Sequence, residues 1–208
     1  MINNLVKLPK GYIISGNLTD IDEFGKNLDT CLNSTNYYIQ LRLKQTSTNS
    51  FESILNSVLS GVDKSKLSRL LLNSGNLDEI DEKLKLVKLL GLGGLHLTSG
   101  VLLNYPGLDK LIGNNRDLVW SGSCHDDKEI SIVNTLRLDF IVISPILPST
   151  SCPSDNYLGW EKFGSLVKLS SVPVYGLGGL NINHLKEVEL AGGQGVAAIQ
   201  SFWQLHKF

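Results

Sequence analysis

Eight short apolar runs alternate with helical patterns along 208 residues, and they predict an α/β chain folded as a (β/α)8 TIM barrel. Three observations carry that prediction. Most of the runs are apolar on both faces and bounded by Gly, Pro, Ser or Asn, as strands of a buried parallel sheet are. Dividing 208 residues among eight units gives 26 each, roughly one strand plus one helix. Polar residues stand at or just past the C-terminal ends of the runs: Ser15, Arg42, Asn73, His96, His125, Ser144, Gly178 and Gln200. A closed barrel gathers such ends on one rim, whereas an open doubly wound sheet spreads them along a line. The open sheet also calls for a GxGxxG turn after its first strand, where this chain has only Ser15-Gly16-Asn17.

In chain order, the first strand is expected over Tyr12–Ser15, the second over Tyr37–Leu43 and the third over Leu70–Asn73. A helix follows over Leu77–Leu90, opened by Asn76 as N-cap, with Ile80, Leu84, Val87 and Leu90 on one face. The fourth and fifth strands are Gly94–Leu97 and Leu118–Ser123. The helix Asp127–Leu136 has an acidic first turn that suits the helix dipole. Strands six and seven are Phe140–Ser144 and Val172–Gly176. A helix over Ile182–Leu190 starts behind Asn181 and stops at Ala191-Gly192-Gly193, and Gly195–Ile199 is the eighth strand. No linker parts two domains, so residues 1–208 are expected to form a single domain.

Composition excludes several functional classes. With 42% apolar and 19% charged residues, disorder is excluded as the main state. A net charge of −1 without a Lys or Arg run lacks the basic footprint of a nucleic-acid binder. The most apolar stretch, Val87–Val101, is broken by Lys88, Gly91, Gly93, Gly94 and His96, so no membrane span is expected. Cys31, Cys124 and Cys152 form no CxxC pair, which points away from disulfides and structural zinc and toward a cytoplasmic setting.

Several motifs could carry chemistry. Gln40, Arg42 and Lys44 alternate at strand spacing and are expected to face inward near the rim, where a basic pair needs an anion; a solvated edge strand is the competing reading. Gly176-Leu-Gly178-Gly179-Leu-Asn181 leads into a helix, and glycine lets backbone N–H groups approach a phosphate. With the segment ending at Ile199 it matches the phosphate site that barrels build after strands seven and eight; ordinary tight turns are the alternative. His125 is a candidate acid–base group, while Ser123 and His125 point in parallel without meeting. His96 reads as a packed, hydrogen-bonded histidine and Cys124 as packing. The run from Ser144 to Pro153 carries three prolines and the hydroxyls of Ser149, Thr150 and Ser151, and reads as a substrate lid.

Together these residues carry a resemblance. Gln40-x-Arg42-x-Lys44, Asn73, Gly94-Leu-His96-Leu, Gly122-Ser123-Cys124-His125, Ser144-Pro145 with Pro148, and Gly178-Gly179 fall in the order of the thiamine phosphate synthase/TenI superfamily of barrels, from Tyr12 to Trp203. The wording around Gly122–Glu129 and Leu138–Pro145 is especially similar to the TenI-like barrel found fused behind MutT-type Nudix hydrolases.

In the synthase, the resemblance implies that a pyrimidine diphosphate ionises and a thiazole phosphate captures the cation, with Mg²⁺ held by two rim aspartates. Here those positions are Ser74 and Val101. The lid pattern Pro-Thr-x-Thr-Lys becomes Pro148-Ser149-Thr150-Ser151-Cys152, and the serine after strand eight becomes Gln200. The TenI branch isomerises a carboxythiazole phosphate, a proton transfer that needs no metal, and its acid–base histidine falls on His125. The resemblance therefore implies a TenI-like thiazole phosphate binder or tautomerase. His125 moves the proton, and Gly178, Gly179, Ile199 and Gln200 hold the phosphate. Arg42 and Lys44 orient a carboxylate or second anion, with Gln40, Asn73, Ser123, Ser149 and Ser151 as further ligand contacts. Two alternatives stay open: a synthase with a degenerate metal site, the only case that calls for Mg²⁺, and a non-catalytic module that binds a thiazole or pyrimidine phosphate for a Nudix hydrolase partner.

Overall fold

Strand alternation sorts the apolar residues into two layers. In the computed structural model, which describes residues 8–43, 51–149 and 156–203, eight parallel strands pair in sequence order and the last closes on the first. They are β1 (Gly11–Ile14), β2 (Tyr38–Leu41), β3 (Leu70–Asn73), β4 (Gly94–Leu97), β5 (Val119–Cys124), β6 (Phe140–Ile143), β7 (Val174–Gly176) and β8 (Gly195–Ala198). This is the predicted (β/α)8 barrel. Residues of one parity, among them Tyr12, Leu71, Phe140, Val142, Tyr175 and Ala197, fill its interior. Those of the other parity, such as Ile13, Ile39, Leu72 and Ile141, pack outward against the helices. Every second side chain is thus committed to one layer, which fixes register, because a one-residue slip would exchange the two sets.

Each predicted strand is present, the third and fourth with the expected bounds and the others with ends one or two residues away. The second stops at Leu41, because the Arg42 N–H is taken by Ser15 Oγ at 2.9 Å instead of a strand carbonyl. The seventh starts at Val174, since the Val172 N–H bonds Ser170 Oγ in a turn. The fifth is shifted one residue, to Val119–Cys124.

The helices are α1 (Ile21–Ser34), α2 (Phe51–Leu59), α3 (Ile80–Leu90), α4 (Ser99–Asn104), α5 (Leu108–Gly113), α6 (Asp127–Leu136), α7 (Gly159–Leu169), α8 (Leu185–Leu190) and α9 (Gln200–Trp203). Only α6 has its expected bounds. α3 begins three residues late, and Asn76 does not cap it; Glu79 instead reaches back to accept from the Asn76 N–H at 3.2 Å. The helix expected over Ile182–Leu190 opens as a 3₁₀ turn, Ile182–His184, before α8. Its cap is as expected: the Asn181 side chain accepts from the Asn183 N–H at 2.9 Å, and Gly192 takes the left-handed stop at φ 91°. α1 was not expected, although Phe24, Leu28, Cys31 and Leu32 form a buried stripe at helical spacing behind an Asp20 cap. Among the described residues no helix is long and apolar enough to cross a membrane. Cys31 and Cys124 are buried thiols whose pKa values burial pushes up to about 11 and about 12, so neither is a thiolate near neutrality. Cys152 lies outside the described residues.

Candidate functional site at the barrel mouth

Inward-facing positions of β1, β2, β4 and β5 carry polar groups that meet inside the barrel. His96 Nδ1 lies 2.9 Å from Ser121 Oγ and 3.2 Å from Tyr12 Oη, and its Nε2 lies 2.8 Å from Ser123 Oγ. Gln40 Nε2 donates to Tyr12 Oη at 3.3 Å. This agrees with the expectation of a packed, hydrogen-bonded His96, which is only 2% exposed. Burial, assisted by the positive charge of Arg42, pushes its pKa down to about 3.

That shift has a measurable consequence. Unfolded, the ring binds a proton near pH 6.5, and folded it does so only near pH 3. The associated stability is therefore fully present above pH 6.5 and falls as pH drops toward 3. At pH 5 the native state is expected to lose about 2 kcal/mol relative to pH 7, at ~1.4 kcal/mol per pH unit. Urea midpoints of wild type and His96→Gln at both pH values measure it. Equal acid sensitivity in the two proteins would contradict a neutral buried His96.

His125 stands one residue past β5 with its side chain about half exposed (48%). Its Nδ1 is 3.1 Å from Glu129 Oε2, and its backbone N–H donates to the same oxygen at 2.5 Å. Glu129 is buried, and its own N–H is fixed by Asp126 Oδ1 at 3.0 Å. A carboxylate on Nδ1 sets the tautomer and leaves Nε2 as the basic nitrogen of the ring. The sequence reading missed Glu129. The signal was present, because an acidic residue four after a histidine that precedes an Asp N-cap returns to that histidine within one helical turn.

The remaining candidates are less uniform than their spacing suggested. Gln40 does point into the barrel and is buried. Arg42 is exposed, so the argument from a buried charge fails for it; the strand has ended and its guanidinium is solvated. Lys44 and Ser151 lie outside the described residues, as does the side chain of Gln200. Asn73 closes β3 and accepts from the Gly75 N–H through Oδ1 at 3.0 Å, an Asx turn. Ser149 is half-buried, and Ile199 packs on the interior while its carbonyl starts α9 by accepting from the Trp203 N–H at 2.8 Å.

Gly178 and Gly179 adopt φ 97° and 67°. A Cβ on Gly178 would sit 2.7 Å from Pro145 Cα, and one on Gly179 2.5 Å from the Pro148 carbonyl oxygen. These glycines are therefore required by the close approach of the loops after β6 and β7, which are also tied by Leu147 N–H donating to the Gly178 carbonyl at 3.0 Å.

The two positions where the synthase resemblance implies carboxylates are internal. Ser74 is fully buried, and its Oγ accepts from the Thr98 N–H at 3.1 Å. Val101, on the buried face of α4, is 1% exposed. A committed, buried hydroxyl and an aliphatic side chain do not fit Mg²⁺, which takes exposed oxygen ligands. A cavity of about 330 Å³ lies beside them, with the exposed Asp78 as the one carboxylate on its wall. Among the described residues no three His, Cys, Asp or Glu side chains cluster as a metal site.

The chain is similar to known proteins along most of its length. A putative thiamine-phosphate synthase 2 of Aquifex aeolicus is 25% identical over 95% of this chain and 99% of its own. The thiamine-phosphate synthase of Methanococcus vannielii is 23% identical over 78% of this chain and 73% of its own. Thiamine phosphate pyrophosphorylase from Pyrococcus furiosus superposes with a TM-score of 0.63 at 17% identity, covering 91% of this chain and 85% of that one, a likeness of fold. The family model described as thiamine monophosphate synthase (TMP-TENI) matches residues 11–202, nearly the whole chain. This barrel, with its polar interior and histidine-bearing rim, belongs to the thiamine monophosphate synthase family.

Proposed function

We propose that residues 1–208 act as one TenI-like barrel domain that binds a thiazole phosphate and transfers a proton on it, as a thiazole tautomerase in thiamine biosynthesis. The observation that carries this reading is the His125–Glu129 pair at the mouth. His125 Nε2 takes a proton from one ring carbon of the substrate and the imidazolium returns it to another position, so the substrate is isomerised and no electrons are exchanged. Glu129 stabilises the imidazolium between the two transfers. The phosphate is assigned to the backbone at Gly178, Gly179, Ile199 and Gln200, and the substrate carboxylate to Arg42 and Lys44.

A second reading is the synthase itself, favoured by the names of the relatives above. It asks the site to stabilise a departing diphosphate, which is where electrostatics matter most, and positions 74 and 101 supply no carboxylate for that purpose. The two readings separate in one assay. Purified protein is expected to interconvert carboxythiazole phosphate tautomers at a rate that EDTA leaves unchanged, and to form no thiamine phosphate from the pyrimidine diphosphate with added Mg²⁺. Metal-dependent thiamine phosphate formation would reverse the assignment. Tight binding without either reaction would make the barrel a ligand-holding module, the role suited to a Nudix hydrolase partner.

A further inference from the structure

The polar chain inside the barrel has a direction. Gln40 Nε2 is a donor only, and it occupies a lone pair of Tyr12 Oη. The single Tyr12 hydroxyl hydrogen is then free to be donated onward. Its neighbours are His96 Nδ1 at 3.2 Å and the Ser121 hydroxyl. Two hydroxyls thus converge on Nδ1, while among the described residues Nε2 meets Ser123 alone. A neutral imidazole has one N–H and one lone pair. With the lone pair on Nδ1, every hydrogen from Gln40 through Tyr12 and His96 to Ser123 runs the same way. With the hydrogen on Nδ1, it would face hydroxyls whose own hydrogens then lose their ring acceptor, inside a barrel where such a loss is expensive.

We infer that the Gln40–Tyr12–His96 relay locks His96 as the Nε2–H tautomer, so that Ser123 accepts from the ring and turns its own hydroxyl hydrogen toward the mouth as a donor reserved for a ligand oxygen. The titratable and charged groups facing the ring are Tyr12 of β1 and Arg42 at the end of β2. Tyr12 stays protonated because burial raises its pKa. The Arg42 charge favours an anionic oxygen in the same place. The ligand group that fits a fixed hydroxyl donor within the field of a guanidinium is a carboxylate. Ser123 is then a specificity residue that selects the carboxylated thiazole phosphate, and His96 is a positioning residue acting through it. The ligand half of this inference rests on the thiazole phosphate reading above; the tautomer half does not.

Two measurements test the halves separately. Nitrogen NMR of histidine-labelled protein is expected to show His96 with an unprotonated Nδ1 and a protonated Nε2, unchanged from about pH 5 to 8, unlike a histidine of ordinary pKa. Tyr12→Phe removes the donor to Nδ1 and is expected to shift that pattern. A protonated Nδ1 in the wild type overturns the relay. Calorimetric titration with carboxythiazole phosphate and with the same thiazole phosphate lacking the carboxylate tests the ligand. Wild type is expected to prefer the carboxylated form about tenfold or more, Ser123→Ala to lose most of that preference while phosphate-dependent binding remains, and Ser123→Thr to restore it. A preference untouched by Ser123→Ala overturns the role of Ser123 and leaves the thiazole phosphate reading standing. If neither phosphate binds, the function proposed above falls together with the carboxylate assignment, and the nitrogen spectrum still decides the tautomer.

Discussion

Alanine in place of His125 is expected to slow proton transfer on the thiazole phosphate by about 10²–10⁴-fold, the range over which a positioned acid–base group acts. Binding should change little, because the ring is half exposed and, in this reading, the phosphate is held elsewhere on the rim. The loss should therefore fall on kcat and leave KM nearly unaltered, as for an interaction used mainly in the transition state. Glu129→Gln keeps the shape of the partner but removes its charge. A charge-assisted hydrogen bond contributes roughly 1.5–3 kcal/mol, which converts to about 10–100-fold in rate. Its loss should also be smaller than that of His125→Ala, since the ring remains. Steady-state kinetics of both variants, with circular dichroism to verify folding, make the comparison. An unchanged kcat in His125→Ala would remove the histidine from the mechanism, and equal losses in the two variants would make Glu129 indispensable to the ring.

The barrel was legible because its determinants are local and redundant. Eight apolar runs separated by turn residues say the same thing eight times, and an error of two residues at Leu43 or Val172 alters no pairing. Helices were harder to read. α1 lies in a polar stretch where the stripe Phe24, Leu28, Cys31 and Leu32 is diluted by Asp22, Glu23, Lys26 and Asp29. α4 and α5 are too short to show a period, and tertiary packing holds them. For the site, alternation placed Gln40 correctly on an inward position. It failed at Arg42, because a period-two pattern cannot say where a strand ends. The contacts of His96 with Tyr12, 84 residues away, and with Ser123, 27 residues away, arise only when the sheet closes, so no spacing rule contains them. Ser74 and Val101 were identified through the resemblance as missing ligands. Their burial adds that a carboxylate at either position would start from a buried place in the packing, where an unpaired charge is costly.

Phe140→Ala is expected to destabilise the fold by about 3–5 kcal/mol, the upper range for a buried aromatic truncation. The ring is fully buried at the centre of the barrel, with its centroid 5.1 Å from Tyr12 and 5.2 Å from Tyr175 in edge-on geometry. Those neighbours cannot collapse into the space it leaves. Tyr12 is held by its hydroxyl in the Gln40–His96 chain, and Tyr175 Oη donates to the Pro9 carbonyl at 2.6 Å. A cavity whose walls are pinned at both ends stays open, which is the condition for the largest cost. Phe140→Leu refills much of that volume and should cost distinctly less. Urea unfolding with an unchanged m-value measures both. If Phe140→Ala lost less than about 1 kcal/mol, the tyrosines would have moved into the gap. Tyr12 could then no longer hold its place on His96, and the tautomer signature of His96 would change in the same variant. Stability of the barrel floor and the hydrogen-bonding state of its mouth are one structural property, because both depend on where a single tyrosine hydroxyl is held.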